Sequence, residues 1–413
     1  MTARLQAHDG FLLVELEGGP YERGRQHGTL LRPQVRLFRD RLYGDLVFKR
    51  GKSLGAVFTG VLYGIAARMH PYIPRELREE MRGVADGAGV SYRDVLLFNT
   101  FDDVMHGLIQ LNPVLTPIMN HRFVAPILGR LACSSFVVGG SRTVSGGPLH
   151  GRNMDYYLSD GFVDPDAVVP GILRGHVVVF VVRPSRGRPF VSVSWPGYVG
   201  VVTGMNRDGL SLACLTSTVP RETTNGIPLP LLYRLMAQYS GSLDEAEWLV
   251  RGARRTIGNN LTLACGSPTA DARPRQGGDG RLLEFTSERV AQVRPREGVV
   301  LATNHFQHPA MLDLQVGGWV FPNSVQRLAR LAELFAAGRF DLANAQAALA
   351  DTCQVAGAES EWDCLQNPGT IYSTVADPAR LALSVRTHDR PDRAFVELDL
   401  ADRLGARGAA AAA

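Results

Sequence analysis

Cys133 stands in the segment LACSSFVV, at the head of a run of apolar, β-prone residues. A short way on, HGRNMDYY gathers Arg152, Asn153 and Asp155. A β-hairpin through Gly146 and Gly147 folds the second segment back beside the first. A thiol close to an arginine and an aspartate suggests nucleophilic chemistry, because the thiolate is the reactive species and a nearby cation favours it. Such a nucleophile still needs a base and a set of donors for a tetrahedral oxyanion. No histidine offers itself as that base, and nothing like a papain signature surrounds Cys133. The other reading is a small buried hydrophobe on a strand, the usual fate of cysteine. By spacing alone that reading is the stronger.

The elements that must position these residues change character near residue 132. Before it, a strand is expected at FLLVELEG and the rest reads as helical. Leu31, Val35, Phe38, Leu42 and Leu46 recur at helical steps, with Pro33 tolerated in the first turn, and a second helix starts at Pro74. Between Gly107 and Ala132, Pro113, Pro117 and Pro126 predict short helices and bends. After residue 132 the runs SSFVV, HVVVFVV, VSVSW, VGVVTG and LSLACL read as strands bounded by turns. Two helices follow at LPLLYRLMAQY and LDEAEWLVRG. Strands return at LTLACG, RLLEFT and GVVLATN, and two more helices cover SVQRLARLAELFAA and DLANAQAALA. TIYSTV, RLALSVR and AFVELDL close the chain as strands. Blocks of strands alternating with paired helices predict α+β layering, two antiparallel sheets flanked by helices.

Composition narrows the function classes. The 413 residues are 45% hydrophobic and 20% charged, with 44 basic and 40 acidic side chains and a net charge of +4. This argues against disorder, and the absence of a basic block argues against a nucleic-acid partner. The excess charge lies wholly in residues 1–132, where the longest apolar stretches also lie. No secretory signal is expected from MTARLQAHDG, and Leu54–Ala67 falls short of the ~20 residues that span a bilayer. Five cysteines without CxxC spacing suggest neither a disulfide framework nor zinc, so a reducing, cytoplasmic setting is expected.

Several stretches, in order, carry a resemblance: GGPYERGRQHG, IPRELREEMRGVADGAGVSYRDVLLFN, CSSF, GRNMDY, GMNRDGLS, NNLTL, ATNHF and NSVQRLARL. Together they resemble the N-terminal-nucleophile (Ntn) hydrolases of the penicillin acyltransferase group, peptidase family C45. They are more distantly similar to acid ceramidase, N-acylethanolamine acid amidase and bile salt hydrolase. The resemblance implies a four-layer αββα sandwich and a precursor that cuts itself between Ala132 and Cys133. The freed α-amino group then serves as base. Its titration near ~8 is close to that of a thiol near ~8.5, so no histidine is needed.

By the same resemblance, Asp155 orients the freed amine and Arg152 lies beside the thiolate. Asn260 donates to the oxyanion, with Asn259 the alternative one residue earlier, and Asn206 is the second donor. Arg327 supports the nucleophile region, with Arg330 a weaker candidate. Trp195, Asn259 and His305 are pocket candidates, each set against ordinary packing. The expected products are a helical chain of residues 1–132 and a catalytic chain of residues 133–413 that stay associated. The expected substrate is a small N-acyl amide, with no metal or organic cofactor. The apolar N-terminal segment carries a further expectation of peripheral membrane contact. Two alternatives remain: acyl transfer from a thioester or amide to an amine, and an uncleaved lipid-binding pseudo-enzyme.

Overall fold

The computed structural model describes residues 3–46, 52–110, 132–156, 172–266, 280–315, 320–353, 360–390 and 392–405. Most of the proline-interrupted stretch expected between Gly107 and Ala132, and residues 267–279, lie outside the described residues.

Strands β1 (Arg4–Ala7) and β2 (Leu12–Gly18) open the chain. Helices α1 (Pro20–Leu30), α2 (Arg32–Leu46), α3 (Lys52–Met69), α4 (Arg75–Ala88) and α5 (Tyr92–Gln110) follow. Glycines set the closest helix packing. A Cβ on Gly24 would meet Glu80 O at 1.9 Å, and one on Gly83 would meet Tyr21 O at 2.2 Å. The backbones of α1 and α4 touch there, which only glycine allows. Gly89, in the left-handed region at φ 67°, ends α4.

After residue 132 come β3 (Ser134–Val138), β4 (Leu149–Asp155), β5 (Val178–Pro184), β6 (Phe190–Ser194), β7 (Thr203–Asn206) and β8 (Leu210–Thr216). Helices α6 (Leu229–Tyr239) and α7 (Leu243–Gly252) precede β9 (Asn259–Cys265), β10 (Gly280–Phe285), β11 (Val290–Val293) and β12 (Val299–Ala302). Then α8 (Pro322–Leu334) and α9 (Leu342–Leu349) lead to β13 (Thr370–Asp377), β14 (Ala382–Thr387) and β15 (Val396–Asp399).

The strands form two sheets, a nine-stranded one in the order β1-β2-β5-β6-β7-β8-β9-β10-β11 and a six-stranded one in the order β12-β3-β4-β13-β14-β15. The sheets face each other. Ser135 and His150 of one meet Ser211 and Thr262 of the other, the histidine nitrogens lying 2.8 and 2.9 Å from the two hydroxyls. Burial and the nearby Arg152 push the His150 pKa down to about 3, so the cluster is a neutral polar bridge. α6 and α7 cover the outer face of the nine-stranded sheet. α8 and α9 cover the six-stranded one, packing Leu331, Ala345, Ala348 and Leu349 on Phe136, Val138 and Val375. The order helix, sheet, sheet, helix is the αββα arrangement expected.

Three details differ from the sequence reading. β2, the strand expected at FLLVELEG, pairs with β5 in parallel, so the nine-stranded sheet is mixed rather than antiparallel. The long connection between them is what a parallel crossover requires. The strand expected over VGVVTG begins only at Thr203, because side chain and helix claim the preceding backbone. Asn99 Oδ1 accepts from Val199 and Gly200, and Pro230 O accepts from Val201. Finally, the edge strands β1 and β11 are additions to the strands expected.

Candidate active site

Cys133 lies one step before β3, and the sheet register places its partners. Ser134 opposes Asn153 and Ser135 opposes Arg152, so Cys133 comes opposite Met154, with Sγ 4.0 Å from Sδ. Side chains alternate along β4. His150 and Arg152 therefore point between the sheets, whereas Asn153 and Asp155 point to the helix side. Asn153 there donates to Leu349 O and Leu365 O. Arg152 Nη1 donates to Val202 O and Thr203 Oγ1, and Nη2 reaches Cys133 Sγ at 3.5 Å. The guanidinium stands 5.9 Å from the Tyr372 ring, beyond which Trp195 lies at 6.1 Å.

On the other side of Cys133, β12 pairs antiparallel with β3, Ala302 opposite Ser135. Continuing that register by two residues sets Asn304 beside Cys133. Its Oδ1 accepts the Cys133 N–H at 2.6 Å, and its Nδ2 donates to Thr216 O at 2.8 Å. Arg327, fully buried on α8, closes the ring. Nη1 donates to Cys133 O and to Ser134 Oγ at 2.9 Å, and Nη2 donates to Asn304 Oδ1 at 3.1 Å.

Asp155 is fully buried. Oδ2 accepts from Asn367 at 2.8 Å, while Oδ1 has no hydrogen-bond partner. Burial raises its pKa to about 6, against the opposing pull of Arg327, Thr370, Asn367 and Arg152. A buried carboxylate oxygen without a donor, on a residue whose backbone O lies 3.6 Å from Cys133 Sγ, is an acceptor waiting for one.

The structure thus brings together Cys133, Arg152, Asp155 and Arg327, with Ala132 buried next to the nucleophile. Other sequence-derived candidates are placed differently. Asn206 is not a donor toward Cys133. Its Nδ2 is spent on Ala237 O and Ser240 O, and its Oδ1 accepts from Asp208 and Leu210, so it locks the β7–β8 turn. Asn260 donates both hydrogens to Thr303 O and His305 O, at 2.9 and 2.7 Å, and so holds the segment bearing Asn304 rather than facing the thiol. Asn259 Oδ1 accepts from Tyr233 Oη at 2.7 Å. His305 is held neutral, its pKa pushed to about 4 by burial and Arg327, with Nδ1 2.7 Å from Ser324 Oγ. Arg330 turns instead to Asp351 and Glu333. Trp195 donates to Leu173 O and packs on Tyr198.

Asn304 is the residue that sequence reasoning underrated. ATNHF carried it, but only the β12–β3 pairing shows that this strand end meets Cys133.

With this geometry in view, the comparisons decide the family. The family model for acyl-coenzyme A:6-aminopenicillanic acid acyl-transferase matches residues 170–391, more than half of the chain. The chain belongs to this family. An uncharacterized protein of Archaeoglobus fulgidus is 29% identical over 333 residues, 73% of this chain and 51% of its own length. Protein dcd1A of Dictyostelium discoideum is 28% identical over 280 residues, 60% of this chain and 56% of that protein. Acid ceramidase of Rattus norvegicus is 28% identical over 142 residues, 34% of this chain and 29% of that protein. The chain spans about half the length of the first two of these relatives.

Among solved structures, the Caenorhabditis elegans ortholog of N-acylethanolamine-hydrolyzing acid amidase aligns at a TM-score of 0.41 and 15% identity, covering 60% of this chain and 93% of that one. Penicillin V acylase from Agrobacterium tumefaciens aligns at 0.41 and 16%, covering 66% and 93%. The family takes its name from acyl transfer to 6-aminopenicillanic acid.

Proposed function

We propose that this member of the penicillin acyltransferase family is a self-cleaving N-terminal-cysteine amidase, acting on small, lipophilic N-acyl amides through an acyl-cysteine. The observation that carries the reading is the ring around residue 133. A cation lies 3.5 Å from the sulfur, an amide oxygen sits on the nitrogen, and an arginine holds the carbonyl.

In the precursor, Cys133 Sγ adds to the Ala132 carbonyl carbon. The bond from that carbon to the Cys133 nitrogen breaks as the nitrogen gains a proton, leaving residues 1–132 as a thioester on sulfur. Water cleaves the thioester, giving a carboxylate at Ala132, a free thiol and a free α-amine. Asn304 Oδ1, which already accepts from this nitrogen, and the unpartnered oxygen of Asp155 are the two acceptors assigned to orient the amine as a base. It takes the thiol proton as sulfur attacks the substrate carbonyl, then returns it to the departing amine. One hydrogen of Asn304 Nδ2 remains beyond its bond to Thr216 O and is the candidate oxyanion donor. Water resolves the acyl-cysteine. An amine acceptor in its place gives the transfer reaction for which the family is named.

The segment before Cys133 is built into the rest of the fold, which supports its retention after the cut. β2 is a sheet strand beside β5, Glu80 pairs with Arg234 at 2.9 Å, and His106 meets Glu222 at 2.6 Å, all buried.

The test is a panel of fluorogenic acyl-aminocoumarins with acetyl, phenylacetyl and palmitoyl groups, with and without an added amine acceptor. Turnover that disappears in Cys133→Ala, with acyl mass trapped on the Cys133 peptide, is expected. Turnover that survives Cys133→Ala contradicts the reading.

A further inference from the structure

The segment 303–308, which presents Asn304 to Cys133, is gripped along its length by buried side chains. From β9, Asn260 takes the carbonyls of Thr303 and His305. Glu284, its cross-strand partner on β10, takes the next stretch: Oε1 accepts from Gln307 N–H at 2.7 Å and Oε2 from His308 N–H at 2.9 Å. Between them, Gln315 accepts from Phe306 N–H at 2.6 Å and donates to Thr218 O at 3.1 Å.

Glu284 is fully buried, and among the described residues no lysine or arginine pairs with it. Two converging N–H groups need an acceptor with two oxygens and no hydrogen, which an ionised carboxylate is and an amide is not. Burial raises the Glu284 pKa to about 7, even though the two N–H donors pull it down. A lone buried carboxylate is costly, so it is an unusual way to secure a loop that other side chains also hold.

We propose that Glu284 is a positioning residue of the catalytic site: by accepting the Gln307 and His308 amides, it sets Asn304 against the Cys133 nitrogen. The inference rests on the reading of Cys133 as the self-cleaving nucleophile. In Glu284→Gln one amide hydrogen must face a backbone N–H. The turn then moves, and a displacement of ~1 Å at a reacting group can cost ~10²-fold in rate.

A double-mutant cycle of Glu284→Gln and Asn304→Ala tests it, because residues that act through one another are not additive. The readouts are the rate of self-cleavage by intact mass, which needs no substrate, and turnover of a palmitoyl-aminocoumarin. Glu284→Gln is expected to slow both about 10- to 100-fold alone, but less than about 3-fold in the Asn304→Ala background. Hydrogen exchange at Gln307 and His308 should accelerate in the variant while β9 and β10 stay protected. If Glu284→Gln does not fold, Glu284→Asp, which keeps the charge but shortens the reach, enters the same cycle. Equal losses in both backgrounds, or unchanged exchange at the two amides, overturn the proposal. Wild type that neither cuts itself nor turns over overturns the underlying reading instead, an outcome distinct from additivity in an active enzyme.

Discussion

Cys133 is held by two regions that work in different ways. On one side, the β3–β4 hairpin places Arg152 and Asp155 by backbone register, and strand alternation sends them to opposite faces of one sheet. On the other side, the segment 303–308 continues past the end of β12, where the ladder no longer dictates position. Side chains from β9, β10 and residue 315 replace it there. A ladder tolerates the loss of a side chain, because its hydrogen bonds belong to the backbone. A gripped segment does not. Damage to the first region should therefore show mainly in stability unless a reacting group is removed, and damage to the second mainly in rate.

Removing a reacting group gives the largest effect. Asp155→Asn should abolish turnover of the acyl-aminocoumarins, while leaving the melting temperature unchanged or higher, because it removes a buried carboxyl whose ionisation is disfavoured. A cleaved, active Asp155→Asn protein would remove Asp155 from the mechanism. Asn304→Ala probes the gripped side. Losing one oxyanion donor costs ~10²–10³ in kcat, so a loss of that size is expected in steady-state assays, beside about 1–3 kcal/mol of stability for its lost buried hydrogen bonds. A loss under about 3-fold would break the contrast between the regions.

The pH dependence separates activity from stability at one group. Asp155 has its pKa raised from the usual ~3.9 to about 6. Turnover should fall as pH drops through 6, because the carboxylate assigned to orient the freed amine becomes protonated. Stability runs the other way. The folded state holds a proton that the unfolded chain releases, so this contribution is full below ~4 and is lost as pH rises through about 6. Melting temperatures of wild type and Asp155→Asn across this window should differ in slope accordingly.

On the ladder side, Gly151→Ala sharpens the comparison. Its Cβ would meet the Phe136 ring at 2.1 Å, and overpacking of this kind costs about 1–3 kcal/mol, measurable by denaturant unfolding. The smallest catalytic effect belongs to Asn206→Ala. It should cost about 1–3 kcal/mol of stability through its lost turn hydrogen bonds, with kcat within about 3-fold of wild type. A rate loss near that of Asn304→Ala would return Asn206 to the oxyanion site.

This division also governs what could be read from the chain alone. Cys133, Arg152 and Asp155 were legible because a hairpin of nearby strands brings them together, and alternation fixes their faces. Arg327 was legible through NSVQRLARL, on an amphipathic helix. Asn304 and Glu284 were not, because their roles depend on which distant strands pair, β12 with β3 and β9 with β10. Asn206 and Asn260 have the expected residue type near the expected place, but their amides are consumed by backbone carbonyls that no motif records. The parallel β2–β5 pair was hidden for the same reason, since its strands are separated by the whole helical segment.

The central claim is that the peptide bond before Cys133 is broken by Cys133 itself. Intact mass and N-terminal sequencing of the purified wild-type protein, beside Cys133→Ala, test it most directly. The account predicts a 132-residue fragment and a fragment beginning at Cys133 that copurify, with the variant remaining one chain of 44.9 kDa. A wild-type protein that stays one uncut chain, identical in mass behaviour to Cys133→Ala, would contradict it.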